Sequence, residues 1–171
     1  RGPAVRAMRW AITPEARVVC SANPNNPTGA GLRGGELEEF LSSAPRDGAV
    51  VIDEAYPEYL PRQQRYDSIA WLERHPNLVV TRTFSKAYGL AGLRVGFGLM
   101  HADVADLLNR VRQPFNVNSL ALAAAVAALG DKAFVSKSYA LNRSGVRRLE
   151  RGFSKLGIEN IPFCANLVSV R

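Results

Sequence analysis

The sequence is poor in cysteine. It has two in 171 residues, Cys20 and Cys164, and their spacing matches neither a metal-binding nor a redox pair. A disulfide-built scaffold is excluded, no metal site is expected, and both thiols are expected to be free and buried in a reducing, cytoplasmic setting. No apolar run approaches the length of a membrane span. The Arg1–Arg9 stretch is basic but lacks the apolar segment of a secretory leader. Neither a membrane partner nor a signal peptide is therefore expected, and Arg1 in place of Met reads as something other than a native start. Acidic residues are in the minority, 15 against 22 Lys and Arg, for a net charge of +7. Such an excess can mark a nucleic-acid binder. Here the arginines scatter along the chain without a stripe or interleaved aromatics, so no nucleic-acid partner is expected. Anionic small molecules, and a more acidic partner segment, account for the excess. Hydrophobic residues make up 47%, enough for a sizeable core.

Short apolar runs alternate with amphipathic stretches. Val18–Ala22, Ala49–Ile52, Leu78–Thr81 and Leu93–Met100 read as strands, the first three ending at turn-forming or polar residues. Gly34–Ala44, with Leu37, Phe40 and Leu41 on one face, reads as a helix. A short helix is expected over Ser68–His75. From Asp103 the pattern is helical: Val104, Leu107, Leu108 and Val111, then Ser119–Leu129 with Gly130 as C-cap. A long helix follows, capped by Asp131. Its stripe of Val135, Tyr139, Asn142, Val146, Leu149, Phe153 and Leu156 is expected to pack in the core, and Gly157 ends it. Ala165–Arg171 reads as a strand. The pattern predicts an α/β fold with a mostly parallel sheet. In such sheets ligands bind beyond the carboxyl ends of the strands.

One segment at such an end stands apart. Thr83-Phe84-Ser85-Lys86-Ala87-Tyr88-Gly89-Leu90-Ala91 runs on into Gly92-Leu93-Arg94-Val95-Gly96-Phe97. It sets a lysine among hydroxyls, small residues and an arginine. Burial and a nearby cation both favour a neutral, nucleophilic amine. Arg94 offers a planar fork for a phosphate, and Thr83 and Ser85 offer hydroxyls to the same anion. The plain alternative is a helix-capping Ser/Thr cluster with a solvated lysine. Gly89, Gly92 and Gly96 suit tight turns or close backbone approach.

Thr83–Phe97 resembles the Schiff-base segment of fold-type I pyridoxal-phosphate enzymes, and is most similar to the histidinol-phosphate aminotransferase group. Asn23-Pro24-Asn25-Asn26-Pro27-Thr28-Gly29 resembles that family's cofactor-ring loop. Asp53-Glu54-Ala55-Tyr56 resembles its pyridine-nitrogen segment, and Arg112–Asn118 its lead into the interdomain helix. The resemblance implies pyridoxal 5'-phosphate as cofactor, bonded to Lys86. Asp53 would hold the pyridine nitrogen's proton, and Thr83, Ser85 and Arg94 the phosphate. Asn26 and Tyr56 would contact the ring's 3-oxygen, with Asn23 and Asn25 shaping the turn. Glu54 is expected to point away from the ring, because side chains alternate along a strand. A cis bond is implied at Asn26-Pro27. The implied reaction moves an amino group between L-histidinol phosphate and 2-oxoglutarate in a homodimer, with a small-molecule amino donor and a 2-oxo acid as partners.

The resemblance also implies an organisation. Residues 1–114 would be the central and C-terminal part of the cofactor-binding large domain, with helices on both faces of its sheet. Residues 115–171 would be interdomain helices and the first strand of a truncated small domain. The family's upstream phosphate segment, its ring-stacking aromatic and its C-terminal substrate arginine have no match here, and Arg171 is outside that last motif. The chain is thus expected to carry the central half of an active site. Two other readings stand beside the first. One is another fold-type I enzyme, such as an aromatic aminotransferase or a threonine-phosphate decarboxylase. The other is an inactive fragment serving as a structural or interaction module.

Overall fold

The computed structural model describes residues 5–170. Four strands form one sheet in the order β1 (Val18–Ala22), β2 (Ala49–Glu54), β3 (Leu78–Thr83) and β4 (Gly96–Met100). The first three run parallel and β4 is antiparallel to β3. Among the described residues five α-helices accompany them: α1 (Val5–Ala11), α2 (Gly34–Ser43), α3 (Ala102–Val111), α4 (Ser119–Gly130) and α5 (Lys132–Lys155). The expected α/β class with a mostly parallel sheet is what forms.

The main core follows from two periodicities meeting. Alternation along the strands sends Val50 and Ile52 of β2, with Leu78 and Val80 of β3, to one face. Helical spacing brings Leu37, Phe40 and Leu41 of α2 onto that face, and Trp71 closes its edge. Each such side chain, once fully buried, contributes about 1.5–3 kcal/mol. A second cluster of Phe84, Val95, Ala121 and Ala125 pins α4 to the β3–β4 connection. A third, Tyr56, Tyr59, Ala87 and Ala165, joins the end of β2 to the lysine segment.

Several expectations change. Ser68–His75 holds only a 3-10 turn at Ile69–Trp71. Asp67 Oδ1 accepts from the Ile69 and Ala70 amides, and Pro76 disfavours helical backbone at His75. Residues 165–170 of the expected Ala165–Arg171 strand form none: they fold back on the preceding segment through a single bridge, Asn160 to Val170, and the Ile161 amide donates to Ser169 O. Arg171 lies outside the described residues. β4 starts at Gly96 rather than Leu93, because a 3-10 turn at Ala91–Leu93 and a left-handed Arg94 precede it. α1 had no counterpart among the expected helices. α4 runs through Gly130, and Asp131 caps both α4 and α5. In the long stripe of α5 only Val146 is buried, while Leu149 and Leu156 are 48% and 74% exposed. Too little of the described chain reaches that face to cover it. Cys164 is buried as expected, but Cys20 is exposed on the sheet face away from α2. No single helix among the described residues is long and apolar enough to cross a membrane.

Phe40 is fully buried and Leu141 is 73% exposed. Phe40→Ala is expected to cost about 3–5 kcal/mol in urea unfolding, and Leu141→Ala no more than about 0.5 kcal/mol. Equal losses would contradict this placement of the core.

Candidate functional site

The carboxyl ends of β1, β2 and β3 lie side by side, and each feeds one of the three motifs. β1 ends at Ala22 and the chain enters the Asn-Pro loop. Asn23 is buried and clamps that loop: its Oδ1 accepts from the Leu32 amide at 2.7 Å, and its Nδ2 donates to Leu32 O at 3.2 Å. Inside the clamp, Asn25 Nδ2 donates to Thr28 Oγ1 at 2.8 Å and the Gly29 amide donates to Asn25 O at 2.8 Å. Asn23 and Asn25 thus shape the turn, as expected. Gly29 has φ +68, and a Cβ there would sit 2.7 Å from Phe163 Cβ, so a side chain is excluded twice over. The Asn26-Pro27 bond is cis, as is Asn23-Pro24. Asn26 is left exposed at the tip.

Asp53 is flanked in register by Ala22 of β1 and Thr81 of β3, and its carbonyl accepts from the Asn23 amide at 2.9 Å. Its side chain is exposed, whereas Glu54 is 1% exposed on the opposite face. The expected alternation holds. Tyr56 is buried, and Asn26 Nδ2 donates to its hydroxyl at 3.2 Å. Lys86 Nζ lies 5.6 Å from the centre of the Tyr56 ring. Asn26 and Lys86, sixty residues apart, therefore converge on one phenol.

The Thr83–Arg94 segment folds on itself. Thr83 Oγ1 accepts from the Ser85 amide at 3.1 Å. Arg94 sits in the left-handed region at φ 53, a conformation costing a non-glycine residue about 1–2 kcal/mol. That turn brings its guanidinium back over the segment, where Nη1 donates to Ala91 O at 2.8 Å and to Ser85 Oγ at 3.4 Å. Gly89 supplies a positive φ, and a Cβ on Gly96 would meet Arg82 O at 2.7 Å. Gly92 has open space around it and serves neither purpose.

One expectation fails here. Lys86 is exposed, as are Asn26, Asp53 and Arg94, and Thr83 and Ser85 are half-buried. The motifs form an open platform, and the described residues do not supply the burial expected around the amine. The chemistry of the platform is nonetheless specific. It sets out an amine, a carboxylate, a phenol–amide pair and a guanidinium–hydroxyl pair. A guanidinium–hydroxyl pair can hold an anion, and an amine can react with a carbonyl.

The sequence model of aminotransferase class I and II matches residues 2–171. The chain belongs to that family. It is 57% identical over 165 residues to histidinol-phosphate aminotransferase 1 of Cupriavidus pinatubonensis, covering 96% of this chain and 44% of that protein. Among solved structures it resembles histidinol-phosphate aminotransferase from Sinorhizobium meliloti in complex with pyridoxal-5'-phosphate. That likeness has a TM-score of 0.85 and 34% identity over 91% of this chain and 42% of the other. It also resembles L-threonine-O-3-phosphate decarboxylase from Porphyromonas gingivalis, with a TM-score of 0.76 and 27% identity over 86% of this chain and 45% of the other. The chain thus spans less than half the length of these relatives.

In this class I and II chain the sequence reasoning missed the polar groups behind the platform. Glu54 Oε2 accepts from Arg82 Nε at 2.9 Å and Nη2 at 2.8 Å. The two residues are in register on neighbouring strands, and no sequence signal shows that without the sheet pairing. Beside them lies a cavity of about 260 Å³, lined by Glu54, Glu58, Arg65, Tyr66, Arg82 and Tyr88. It faces away from the platform, and its groups are not the candidate site.

Burial raises the Glu58 carboxyl above its ordinary value of 4.5. A raised folded-state pKa means the native state holds the proton more tightly than the unfolded one. Stability is then greatest in acid and falls as pH rises from about 4.5 through the raised value. Glu58→Gln is therefore expected to gain stability relative to the parent as pH rises from acid to neutral, measured by urea unfolding across pH. A difference that does not change with pH would rule out the burial penalty.

Proposed function

We propose that this chain carries the cofactor-binding part of an aminotransferase that moves an amino group between L-histidinol phosphate and 2-oxoglutarate, with pyridoxal 5'-phosphate bonded to Lys86. The observation that carries the reading is the convergence of Asn26 and Lys86 on Tyr56, next to an outward-facing Asp53 at the end of β2. When bound, the cofactor supplies an electron sink whose strength depends on a protonated ring nitrogen. Asp53 would hold that proton. Asn26 and Tyr56 would donate to the ring oxygen, and Thr83, Ser85 and Arg94 would bind the phosphate. Once the substrate's amine has taken its place, the freed Lys86 amine, tethered among these groups, would accept at Nζ a proton from the substrate's α-carbon. Tethering makes such a transfer effectively intramolecular.

The 57% identity to the Cupriavidus histidinol-phosphate aminotransferase supports L-histidinol phosphate as the amino donor. The same reading makes the intact protein a cytoplasmic homodimer in which residues 1–114 form part of the large domain and 115–171 lead into the small one.

In the native gene product, borohydride reduction with pyridoxal phosphate should fix a pyridoxyl group on Lys86, and Lys86→Ala should abolish it. A label on Lys132, Lys137 or Lys155 instead would make the assignment wrong. Asp53→Ala should still take the label but turn over about 10²–10³-fold more slowly, the usual effect of losing one strong electrostatic contact. Unchanged turnover at saturating cofactor would remove Asp53 from the mechanism. Arg94→Ala should chiefly weaken cofactor binding, read from the titration of the visible absorbance.

A further inference from the structure

A buried carboxylate with one satisfied oxygen is an unfinished arrangement. Both Arg82 donors converge on Glu54 Oε2, and Oε1 is buried without a hydrogen-bond partner among the described residues. A buried acceptor left unpaired is costly. Tyr66 lines the same cavity as Glu54 and carries a hydroxyl that can donate. Its ring stacks on Trp71 at 5.3 Å, which fixes where the hydroxyl sits. The hydroxyl oxygen accepts from Asn23 Nδ2 at 2.8 Å, so its own proton is free to point elsewhere. The Asn23 carbonyl is a poor target at 3.4 Å. Burial, and then the Glu54 charge beside it, raise the Tyr66 hydroxyl well above its ordinary value of 10, so the proton stays on the phenol.

We propose that Tyr66 donates this proton to Glu54 Oε1. The donation completes a buried chain from Asn23 through Tyr66 and Glu54 to Arg82, and this chain positions the two candidate segments that flank Asp53. One end of the chain is the clamp of the Asn-Pro loop, because the same Asn23 side chain holds both backbone groups of Leu32. The other end is Arg82, whose next residue is Thr83, the start of the lysine segment. Between them the Asn23 amide bonds to Asp53 O. Glu54 and Tyr66 touch none of the candidate groups directly. They act through Asn23 and Arg82 and are positioning residues. Their effect on turnover rests on the function proposed above, whereas their effect on the loop does not.

The test uses the native gene product and the variants Tyr66→Phe, Glu54→Gln and the double variant. Tyr66→Phe keeps the stack on Trp71 and removes only the hydroxyl, so it stays informative if Glu54→Gln fails to fold. Amide hydrogen exchange is read over residues 23–32 without cofactor, then kcat and KM for the amino donor with it. Each single variant should speed exchange in that loop about tenfold, the scale of one lost hydrogen bond. Each should also lower kcat by a similar factor with KM within about twofold. The double variant should be no worse than the worse single, since members of one chain are not additive. A residue that merely stabilised the sheet would lower Tm and leave the loop and the kcat-to-KM split alone. Wild-type exchange over 23–32 in Tyr66→Phe, or additive losses in the double variant, would overturn the proposal. Absence of a pyridoxyl label on Lys86 in the parent would instead sink the cofactor reading, and the exchange arm would still decide the chain.

Discussion

The pleat of β2 forces two adjacent carboxylates to opposite fates, and the architecture around the site answers that constraint. Asp53 emerges on the platform side and Glu54 goes beneath α2's face of the sheet, 1% exposed. A carboxylate placed there without a cation carries a desolvation cost of several kcal/mol. The parallel register sets Arg82 opposite it, and the guanidinium closes on one oxygen. A slip of one residue in that pairing would turn Arg82 to the platform and leave Glu54 buried alone. The ion pair therefore ties the register of β2 and β3 to the outward direction of Asp53, although neither partner lies on the platform.

Much of the fold was legible because its strands are short apolar runs ending in Asn, Asp or Thr. Val18–Ala22 is a strand as read but holds no buried residue, against the burial its apolar run suggests, and β2 and β3 run two residues past Ile52 and Thr81, where the apolar runs end. The candidate site was legible for the same reason, since the motifs follow directly from strand ends. What stayed hidden depends on tertiary pairing. Arg82 looks like any arginine until its register with Glu54 is known. Tyr66, forty-three residues from Asn23, has no local signal at all. The α5 stripe misled because helical spacing shows which side chains share a face, but not what covers that face. Lys86 misled similarly: its neighbours in sequence describe a chemistry, and its exposure is decided by segments distant in the chain.

The platform also shows where local geometry works against backbone preference. Arg94 accepts a left-handed conformation that glycine would adopt more cheaply. Glycine there would lose the guanidinium that reaches Ala91 O and Ser85. Gly96, two residues on, has no such latitude, because the Arg82 carbonyl occupies the space a Cβ would need. The turn thus keeps a side chain where charge is useful and omits one where backbones touch. The left-handed Arg94 persists because the surrounding turn and its two hydrogen bonds over-determine its backbone.

The Asn-Pro loop shows why such a site needs the whole chain. From inside, Asn23 clamps its base to Leu32 and reaches Tyr66. From outside, the far end of the sequence closes over it: the Cys164 amide donates to Gly29 O at 2.8 Å and Ser169 Oγ to Pro27 O at 2.8 Å. Asn142 of α5 holds the same outer segment by donating to Ala165 O at 3.2 Å, and Ala165 packs on Tyr56. The segment that sequence patterning reads as a strand serves in part as this brace, because the Ser169 hydroxyl meets a loop carbonyl that has no strand to pair with. A ten-residue loop held at its base alone would leave Asn26 free to sweep. Bracing it from a helix more than a hundred residues away fixes the tip, and with it the hydrogen bond from Asn26 to the Tyr56 hydroxyl on which Lys86 also converges.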